Sequence, residues 1–243
     1  MYIYVVVQEK ENYYRDGAGG GRIKARIEMA SGERCLIVPY QEFNMEVVRE
    51  LRPRAIIMSG FGGHFQQRKV EWFLGMNEVL HQAEIPMLAF CGSHQLMAFA
   101  FNKDLTQTPL LEDEPIRRLG PEEDWPRVAQ QSSEVDFSGY YMTDGFFPIW
   151  QVRDDPLFAG LPKLMMMRCN HYCEVKQLPP GFVVLARSGH SPIEAMRHQT
   201  RPLWGTQFHP EAYEPPFLDG RKLLENFAQI VRDFWAHSTL VFT

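Results

Sequence analysis

The chain has 243 residues, of which 45% are hydrophobic and 23% are charged, with a formal net charge of −5 at pH 7. This composition suits one large globular domain or one domain with an insertion. The acidic balance provides no electrostatic footprint for nucleic acid or for an anionic membrane surface. No apolar run reaches the roughly 18 residues of a membrane helix, and residues 1–8 lack the basic region of a signal peptide, so we expect a cytoplasmic protein.

Apolar strands and amphipathic helices alternate along the first part of the chain. Residues 8–21 are polar, end in a glycine cluster and are predicted to form a flexible loop. The glycines match neither Gly-Lys-Ser/Thr nor Gly-x-Gly-x-x-Gly at the right offset, so no nucleotide cofactor is predicted. Successive strand–helix units imply parallel crossovers, and therefore an α/β fold with a doubly wound, mostly parallel central sheet flanked by helices. The predicted strands are 2–7, 34–38, 54–59 and 85–90, and the predicted helices are 23–30, 44–51, 70–81 and one that begins after Cys91.

The periodicity fails in a polar stretch from residue 102 to about residue 139, which we interpret as an insertion that carries a short helix or two. A small antiparallel extension is predicted after it, followed by a helix from residue 220 to about 236. The domain prediction is therefore one domain over 1–243 with a polar insertion at about 102–139. The strands predicted for the extension are 147–152, 164–168, 172–175, 182–187, 193–197 and 203–206.

The chain has four cysteines, Cys35, Cys91, Cys169 and Cys173. They are too few to stabilise a chain of this size by disulfide bonds, and we expect reduced thiols. The segment from Cys169 to Cys173 also contains His171, which raises the question of a zinc site. Zinc sites with closely spaced cysteines come with a second ligand pair, and the other histidines show no such pairing. The sequence therefore predicts no metal site.

A candidate nucleophile stands at the end of the strand at 85–90. Cys91 follows the strand directly, and the helix that begins after it points its free N–H groups toward the sulfur, which favours the thiolate. The small residues Gly92 and Ser93 suit the sharp turn that such a position requires. A second stretch supplies the partners of a thiolate: His209 can take its proton, and Glu211 can fix the tautomer of the histidine.

A third stretch ends in glycines after the strand at 54–59. Glycines at a strand end let backbone N–H groups approach a ligand closely, which an oxyanion hole requires. In a doubly wound sheet, ligands bind at the carboxyl ends of the parallel strands. Gly60 and Cys91 each follow such a strand, so we expect them at the same edge of the sheet.

These stretches resemble the class I, or triad-type, glutamine amidotransferase family. The family pattern Gly-x-Cys-x-Gly-x-Gln reads Ala-Phe-Cys-Gly-Ser-His-Gln at residues 89–95, and the Gln-Phe-His-Pro-Glu run of the family is matched in full at 207–211. Residues 58–63 are similar to the glycine-rich oxyanion strand, and residues 170–172 to the pocket that holds the glutamine backbone. The resemblance spans most of the chain in the family's order, and it implies a flavodoxin-like fold.

The resemblance implies a glutaminase in which Cys91 attacks the side-chain amide of glutamine. Backbone N–H groups of Phe61 and Gly92 would hold the oxyanion, and His209 with Glu211 would deliver the proton to the departing ammonia. The substrate-binding residues implied by the family pattern are Gly60, Gln95, Asn170, His171 and Tyr172. Because the chain shows no second catalytic domain, the ammonia is expected to pass to a synthase on another chain.

Four positions depart from the family pattern: Ala89, Ser93, Phe61 and Tyr172 stand where relatives have glycine. A Cβ atom at a crowded position can shift the geometry of a site, so these four residues affect which substrate the pocket accepts. Two alternatives stay open at this point. One is a stand-alone γ-glutamyl peptidase or transferase that uses the same triad on a γ-glutamyl compound, and the other is a catalytically silent binding module of the same fold.

Overall fold

A computed structural model describes residues 1–16, 20–123 and 138–238. In these residues nine strands form one sheet, with the bounds β1 Tyr2–Val6, β2 Cys35–Pro39, β3 Ala55–Met58, β4 Met87–Phe90, β5 Thr143–Gln151, β6 Leu164–His171, β7 Phe182–Arg187, β8 Ala195–His198 and β9 Leu203–Thr206. The strand order across the sheet is β2-β1-β3-β4-β9-β8-β7-β5-β6.

Six α-helices are present in the same residues: α1 Lys10–Asp16, α2 Gly21–Ser31, α3 Met45–Leu51, α4 Leu74–Gln82, α5 Gly92–Asn102 and α6 Asp219–His237. The helix α3 begins where the sequence predicts, because the Asn44 side chain accepts a hydrogen bond from the Val47 N–H at 3.1 Å. Val70–Phe73, predicted as helix, is a 3₁₀ turn that leads into α4. Among the described residues, no helix has both the length and the apolar character to cross a bilayer.

The sheet has a parallel half and an antiparallel half. Strands β2, β1, β3, β4 and β9 are parallel, and β8, β7, β5 and β6 continue the sheet with antiparallel pairings. The predicted α/β class, with a doubly wound, mostly parallel sheet and an antiparallel extension, is confirmed. The extension shares its hydrogen bonding with the parallel strands, since β8 pairs with β9 directly.

Helices cover both faces of the parallel half. On one face, α3, α4 and α5 contribute to a core cluster that includes Val48, Val79 and Leu96. On the other face, α2 and α6 pack against each other, and Ile27 and Phe227 belong to a second cluster. Since both faces are covered, β1, β3 and β4 are buried at every residue, which explains their uninterrupted apolar sequences.

The prediction of a loop at residues 8–21 is wrong for Lys10–Asp16, which form α1, while residues 17–19 lie outside the described residues. This segment has no apolar period, so its sequence does not predict a helix. Tyr13 packs against the second core cluster, and the Tyr14 hydroxyl donates to the Glu42 carboxylate at 3.1 Å. Such tertiary contacts stabilise a helix that is too short to be stable alone.

The predicted strand at 172–175 is also wrong, because β6 ends at His171 and the next residues pair with the insertion. The Ile116 N–H donates to the Tyr172 carbonyl at 2.8 Å, and the Glu174 N–H donates to the Glu114 carbonyl at 2.9 Å. The segment predicted to be an insertion thus lies against the end of β6. Its described parts, 103–123 and 138–139, contain no helix, and residues 124–137 lie outside the described residues.

Candidate active site

Three of the motifs found in the sequence meet at one edge of the sheet. Cys91 follows β4, Gly60 lies two residues beyond β3, and His209 lies three residues beyond β9. The strands β3, β4 and β9 are neighbours and parallel, so their carboxyl ends open on the same side. The expected convergence of the cysteine, the glycine loop and the histidine is therefore found.

The backbone at Cys91 makes a tight turn from strand to helix. Cys91 has a φ of 46° and a ψ of −109°, an unusual conformation for a residue with a Cβ atom. The Cys91 N–H donates to the Thr206 carbonyl at 2.7 Å, which ties the turn to the end of β9. Strain of this kind persists only where the surroundings impose it, and it is common at catalytic residues.

His209 and Glu211 form the second part of the site. The His209 Nδ1 lies 2.7 Å from the Glu211 Oε1, and the Glu211 side chain is almost completely buried. Burial lowers the pKa of His209, but the Glu211 charge, the Cys91 sulfur and hydrogen bonds to both raise the pKa well above the ordinary histidine value. The charged imidazolium form of His209 is therefore favoured.

Gly60 lies between Cys91 and His209, where there is no space for a side chain. A Cβ atom on Gly60 would lie 2.8 Å from the His209 Cε1 and 3.0 Å from the Cys91 Cβ. Both distances are shorter than van der Waals contact between carbon atoms. Only a glycine at this position lets the imidazole and the thiol approach each other.

Two departures from the family pattern are accommodated by their neighbours. The Phe61 ring covers the Cα of Gly92, where a Cβ atom would lie 2.5 Å from the nearest ring carbon. The Ser93 hydroxyl donates to the Ser59 carbonyl at 2.6 Å, so the extra side chain joins the helix start to the end of β3. Gly92 is the first residue of α5, and its N–H has no acceptor within the helix.

A cavity of about 400 Å³ opens on His209 and Glu211. Gly60, Phe61, Asn170, His209 and Glu211 contribute to its wall, and so does Arg168, which the sequence motifs did not indicate. The Cys91 sulfur lies behind this wall, 3.9 Å from the Asn170 carbonyl oxygen.

Gln95 is buried beside the nucleophile. Its side-chain nitrogen donates to the Cys173 carbonyl at 3.0 Å and to the Gln207 side-chain oxygen at 3.1 Å. The Gln207 amide in turn donates to the Cys91 sulfur at 3.6 Å. Gln207 is a site residue that the sequence prediction missed, although its place in the Gln-Phe-His-Pro-Glu run was a signal for it.

Tyr172 links the pocket to the glycine loop. Its hydroxyl donates to the Gly63 carbonyl at 3.1 Å and lies 2.8 Å from the His64 Nδ1. Asp113, from the predicted insertion, accepts a hydrogen bond from the Phe65 N–H at 3.0 Å, and burial raises the pKa of Asp113 to about 7. Asp113 and Tyr172 thus both bond to the loop at residues 63–65.

The His171 side chain lies on the opposite side of β6 from the cavity. It is 3% exposed, and its ligand-capable nitrogen, the Cys169 sulfur and a Glu194 carboxylate oxygen all lie within 4.8 Å of one another. Burial raises the pKa of Glu194 to about 8. If His171 binds the substrate, it therefore does so through its main-chain atoms, because its side chain points away from the cavity.

Comparisons with known proteins agree with this geometry. The family described as "Glutamine amidotransferase class-I" matches residues 24–230. A subunit of the glutamine-hydrolyzing GMP synthase from Pyrococcus abyssi is 30% identical over 186 residues, which cover 76% of this chain and 80% of that protein. The corresponding protein from Archaeoglobus fulgidus is 33% identical over 153 residues, 63% of this chain and 66% of that protein, slightly under two thirds of its length.

A solved structure with a similar fold is that of a protein described as a GMP synthase subunit from Thermoplasma acidophilum. It is 20% identical, with a TM-score of 0.69, and the alignment covers 97% of this chain and 96% of that chain. The similarity of the two structures extends over both the parallel and the antiparallel halves of the sheet.

Proposed function

The chain belongs to the class I glutamine amidotransferase family, and from that premise we propose that Cys91, His209 and Glu211 hydrolyse the side-chain amide of glutamine. Members of this family are cysteine-nucleophile glutamine amidohydrolases. The observation that carries the proposal is the 2.7 Å contact between His209 and Glu211, with His209 and Cys91 both packed against Gly60. A relay of nucleophile, base and orienting carboxylate is the arrangement that acyl transfer requires.

The first chemical step forms a bond between the Cys91 sulfur and the amide carbon of the substrate. The electron pair of the C=O bond moves to oxygen, and the backbone N–H groups of Phe61 and Gly92 stabilise the oxyanion. His209, as the imidazolium, then donates its proton to the amide nitrogen. The C–N bond breaks, ammonia leaves, and a glutamyl thioester remains on Cys91.

The second step removes the glutamyl group. Neutral His209 accepts a proton from a water molecule, and the oxygen of that water attacks the thioester carbon. The C–S bond breaks, glutamate leaves, and the Cys91 thiolate and the His209 imidazolium are restored. Glu211 keeps the Nδ1 proton of His209 in place throughout, so that Nε2 serves the reacting atoms.

The substrate is proposed to lie along the end of β6. The main chain at Asn170 and Tyr172 would bind the α-carboxylate and the amino group of glutamine, with Gln95 beside the nucleophile and Gly60 under the reacting amide. Support for this placement comes from Asn170, which contributes to the cavity wall and approaches the Cys91 sulfur.

The ammonia is proposed to pass to a synthase on a separate chain. The relatives from Pyrococcus and Archaeoglobus are each named as one subunit of a GMP synthase, which supports a separate synthase partner for this chain. By the same analogy, the proposed acceptor of the ammonia is a nucleotide substrate of that partner.

The proposal is tested by following glutamate and ammonia release from free glutamine and from a γ-glutamyl dipeptide. We expect equal amounts of glutamate and ammonia from glutamine, with a faster rate when the partner that co-purifies from the source is added. Steady release of glutamate from the dipeptide, with free glutamine untouched, would favour the stand-alone peptidase instead. No product from either substrate, with the co-purified partner present, would favour the silent binding module.

The pH dependence of the reaction tests the role of Glu211. Its carboxylate raises the pKa of His209, so the imidazolium that protonates the departing amide nitrogen persists into the alkaline range. In Glu211→Gln that charge is absent, and we expect the alkaline limb of kcat/KM to move to lower pH, with kcat about 10²-fold lower. Glu214→Gln, a change of an exposed carboxylate three residues away, is the matched control and should leave the profile in place. An unchanged alkaline limb in Glu211→Gln would contradict the assignment.

A further inference from the structure

A second group of chemically capable side chains lies beneath the glutamine pocket. Cys169 and His171 are two residues apart on β6 and therefore project from the same face of the strand. Glu194 immediately precedes β8 and reaches the same point. The three residues are 0%, 3% and 0% exposed, and their ligand-capable atoms lie within 4.8 Å of one another.

The hydrogen bonding of His171 leaves one ring nitrogen facing this group. The Nδ1 lies 3.0 Å from the Cys173 carbonyl oxygen, which only accepts, so Nδ1 carries the proton. The Nε2 then presents its lone pair, 3.9 Å from the Glu194 Oε1. Histidines that bind metals are oriented in this way, with the second nitrogen donating to a carbonyl or a carboxylate.

Three polar side-chain atoms at this point are buried without hydrogen-bond partners in the residues that the structure describes. In the described parts of the chain, neither the His171 Nε2 nor either Glu194 oxygen reaches a hydrogen-bond partner. Buried polar atoms in native proteins are almost always satisfied, so an unsatisfied group of this kind needs an explanation. An ion that all of these atoms coordinate would satisfy them together.

The donor set identifies the class of ion. A thiolate, an imidazole and a carboxylate are ligands of Zn²⁺, whereas Mg²⁺ and Ca²⁺ prefer oxygen alone. Ligand atoms of a tetrahedral zinc ion lie about 3.3–3.8 Å apart, so the three atoms need to converge only slightly. A thiolate and a carboxylate also neutralise the two positive charges of the ion, which offsets the desolvation cost of burying these charged groups.

We propose that Cys169, His171 and Glu194 bind a zinc ion that holds β6 against the start of β8, with a water molecule as the fourth ligand. Asn170 lies between the two β6 ligands, in the cavity wall and near the Cys91 sulfur. The ion therefore fixes the strand that carries the proposed glutamine pocket. The sequence predicts no metal because it shows no second Cys/His pair, and the third ligand is a glutamate 23 residues beyond His171.

The test measures metal content, which does not depend on glutaminase activity. The full chain is produced in zinc-supplemented medium, purified without chelators, desalted and analysed by mass spectrometry for elements. We expect one zinc ion per chain in the wild type. Glu194→Gln and Cys169→Ser should each bind zinc at least about 10-fold more weakly, and cobalt-loaded wild type should show a thiolate-to-cobalt absorption band that Cys169→Ser lacks.

Two control variants make the result specific. Cys91→Ala removes the thiol of the triad, which is another place where a sulfur, an imidazole and a carboxylate lie together. Cys35→Ala removes a buried thiol on β2. Both should retain the zinc and the cobalt band. Zinc that disappears with Cys91, or a wild-type chain that takes up no zinc in a titration against a competing indicator, overturns the proposal. That titration needs no variant, so it holds even where Cys169→Ser fails to fold.

Discussion

Cys91→Ala is expected to lower kcat/KM for glutamine hydrolysis by about 10⁴-fold or more, because no other group in the site can form the thioester. Alanine keeps the Cβ atom and the N–H that bonds the Thr206 carbonyl, so the turn between β4 and α5 should persist. Glutamine binding, measured by calorimetry, should therefore remain while ammonia release disappears. Loss of chemistry with retained binding separates a nucleophile from a residue that only shapes the pocket.

The matched control for Cys91→Ala is Cys35→Ala. Burial raises the pKa of Cys35 to about 12, and burial also raises the pKa of Cys169 and Cys173, so these thiols are poor nucleophiles at neutral pH. An electrophile that mimics glutamine should label the wild type and Cys35→Ala once per chain, and Cys91→Ala not at all. Ammonia release by Cys91→Ala at more than one tenth of the wild-type rate would contradict the assignment.

The catalytic group was predictable from sequence because each member lies in a short, ordered motif. Cys91 stands between an apolar strand and a helix, and Pro210 holds His209 and Glu211 in one local turn. The topology rule for parallel sheets then brings these distant motifs to one edge. That the strands are parallel follows from the alternation of strands and helices, whereas the order that makes β3, β4 and β9 neighbours is seen only in the structure.

The residues that the sequence did not reveal act through contacts between distant parts of the chain. Glu194 joins Cys169 and His171 only because β8 and the end of β6 approach each other across the sheet. Gln207 reaches Cys91 for a similar reason. The Gln-Phe-His-Pro-Glu run marks Gln207, but no local pattern records which residue Gln207 or Glu194 meets, so only the folded chain reveals these pairings.

The departures at Phe61 and Tyr172 show why single positions mislead when each is compared alone. Phe61 brings a ring to a place where relatives have glycine, and Gly92 leaves the space that the ring needs. Phe65 packs edge-on against the Phe61 ring at 4.9 Å, and the Arg68 guanidinium lies 4.6 Å from its centre. The Tyr172 hydroxyl likewise finds a carbonyl acceptor in the glycine loop. Both larger side chains therefore have packing or hydrogen-bond partners in the structure.

Gly60→Ala is expected to lower kcat/KM about 10²-fold, although it adds one methyl group and leaves the triad intact. The new Cβ would lie 2.8 Å from the His209 Cε1 and 3.0 Å from the Cys91 Cβ, so the imidazole and the thiol must move apart. Gly60 does not have a positive φ, so alanine introduces no backbone strain and the effect is purely steric.

Gly62→Ala is the matched control for Gly60→Ala, because it places the same methyl group two residues further along the same loop. A Cβ on Gly62 meets nothing within 4 Å, and Gly62 also lacks a positive φ. We expect Gly62→Ala to retain nearly the wild-type kcat/KM and both variants to unfold at similar denaturant concentrations. The His209 pKa, followed by NMR, should fall in Gly60→Ala alone, because a displaced imidazole loses part of its interaction with the Cys91 sulfur. Equal activity of the two variants would mean that close contact between the ring and the thiol is not required, and the relay would then have to run through another group.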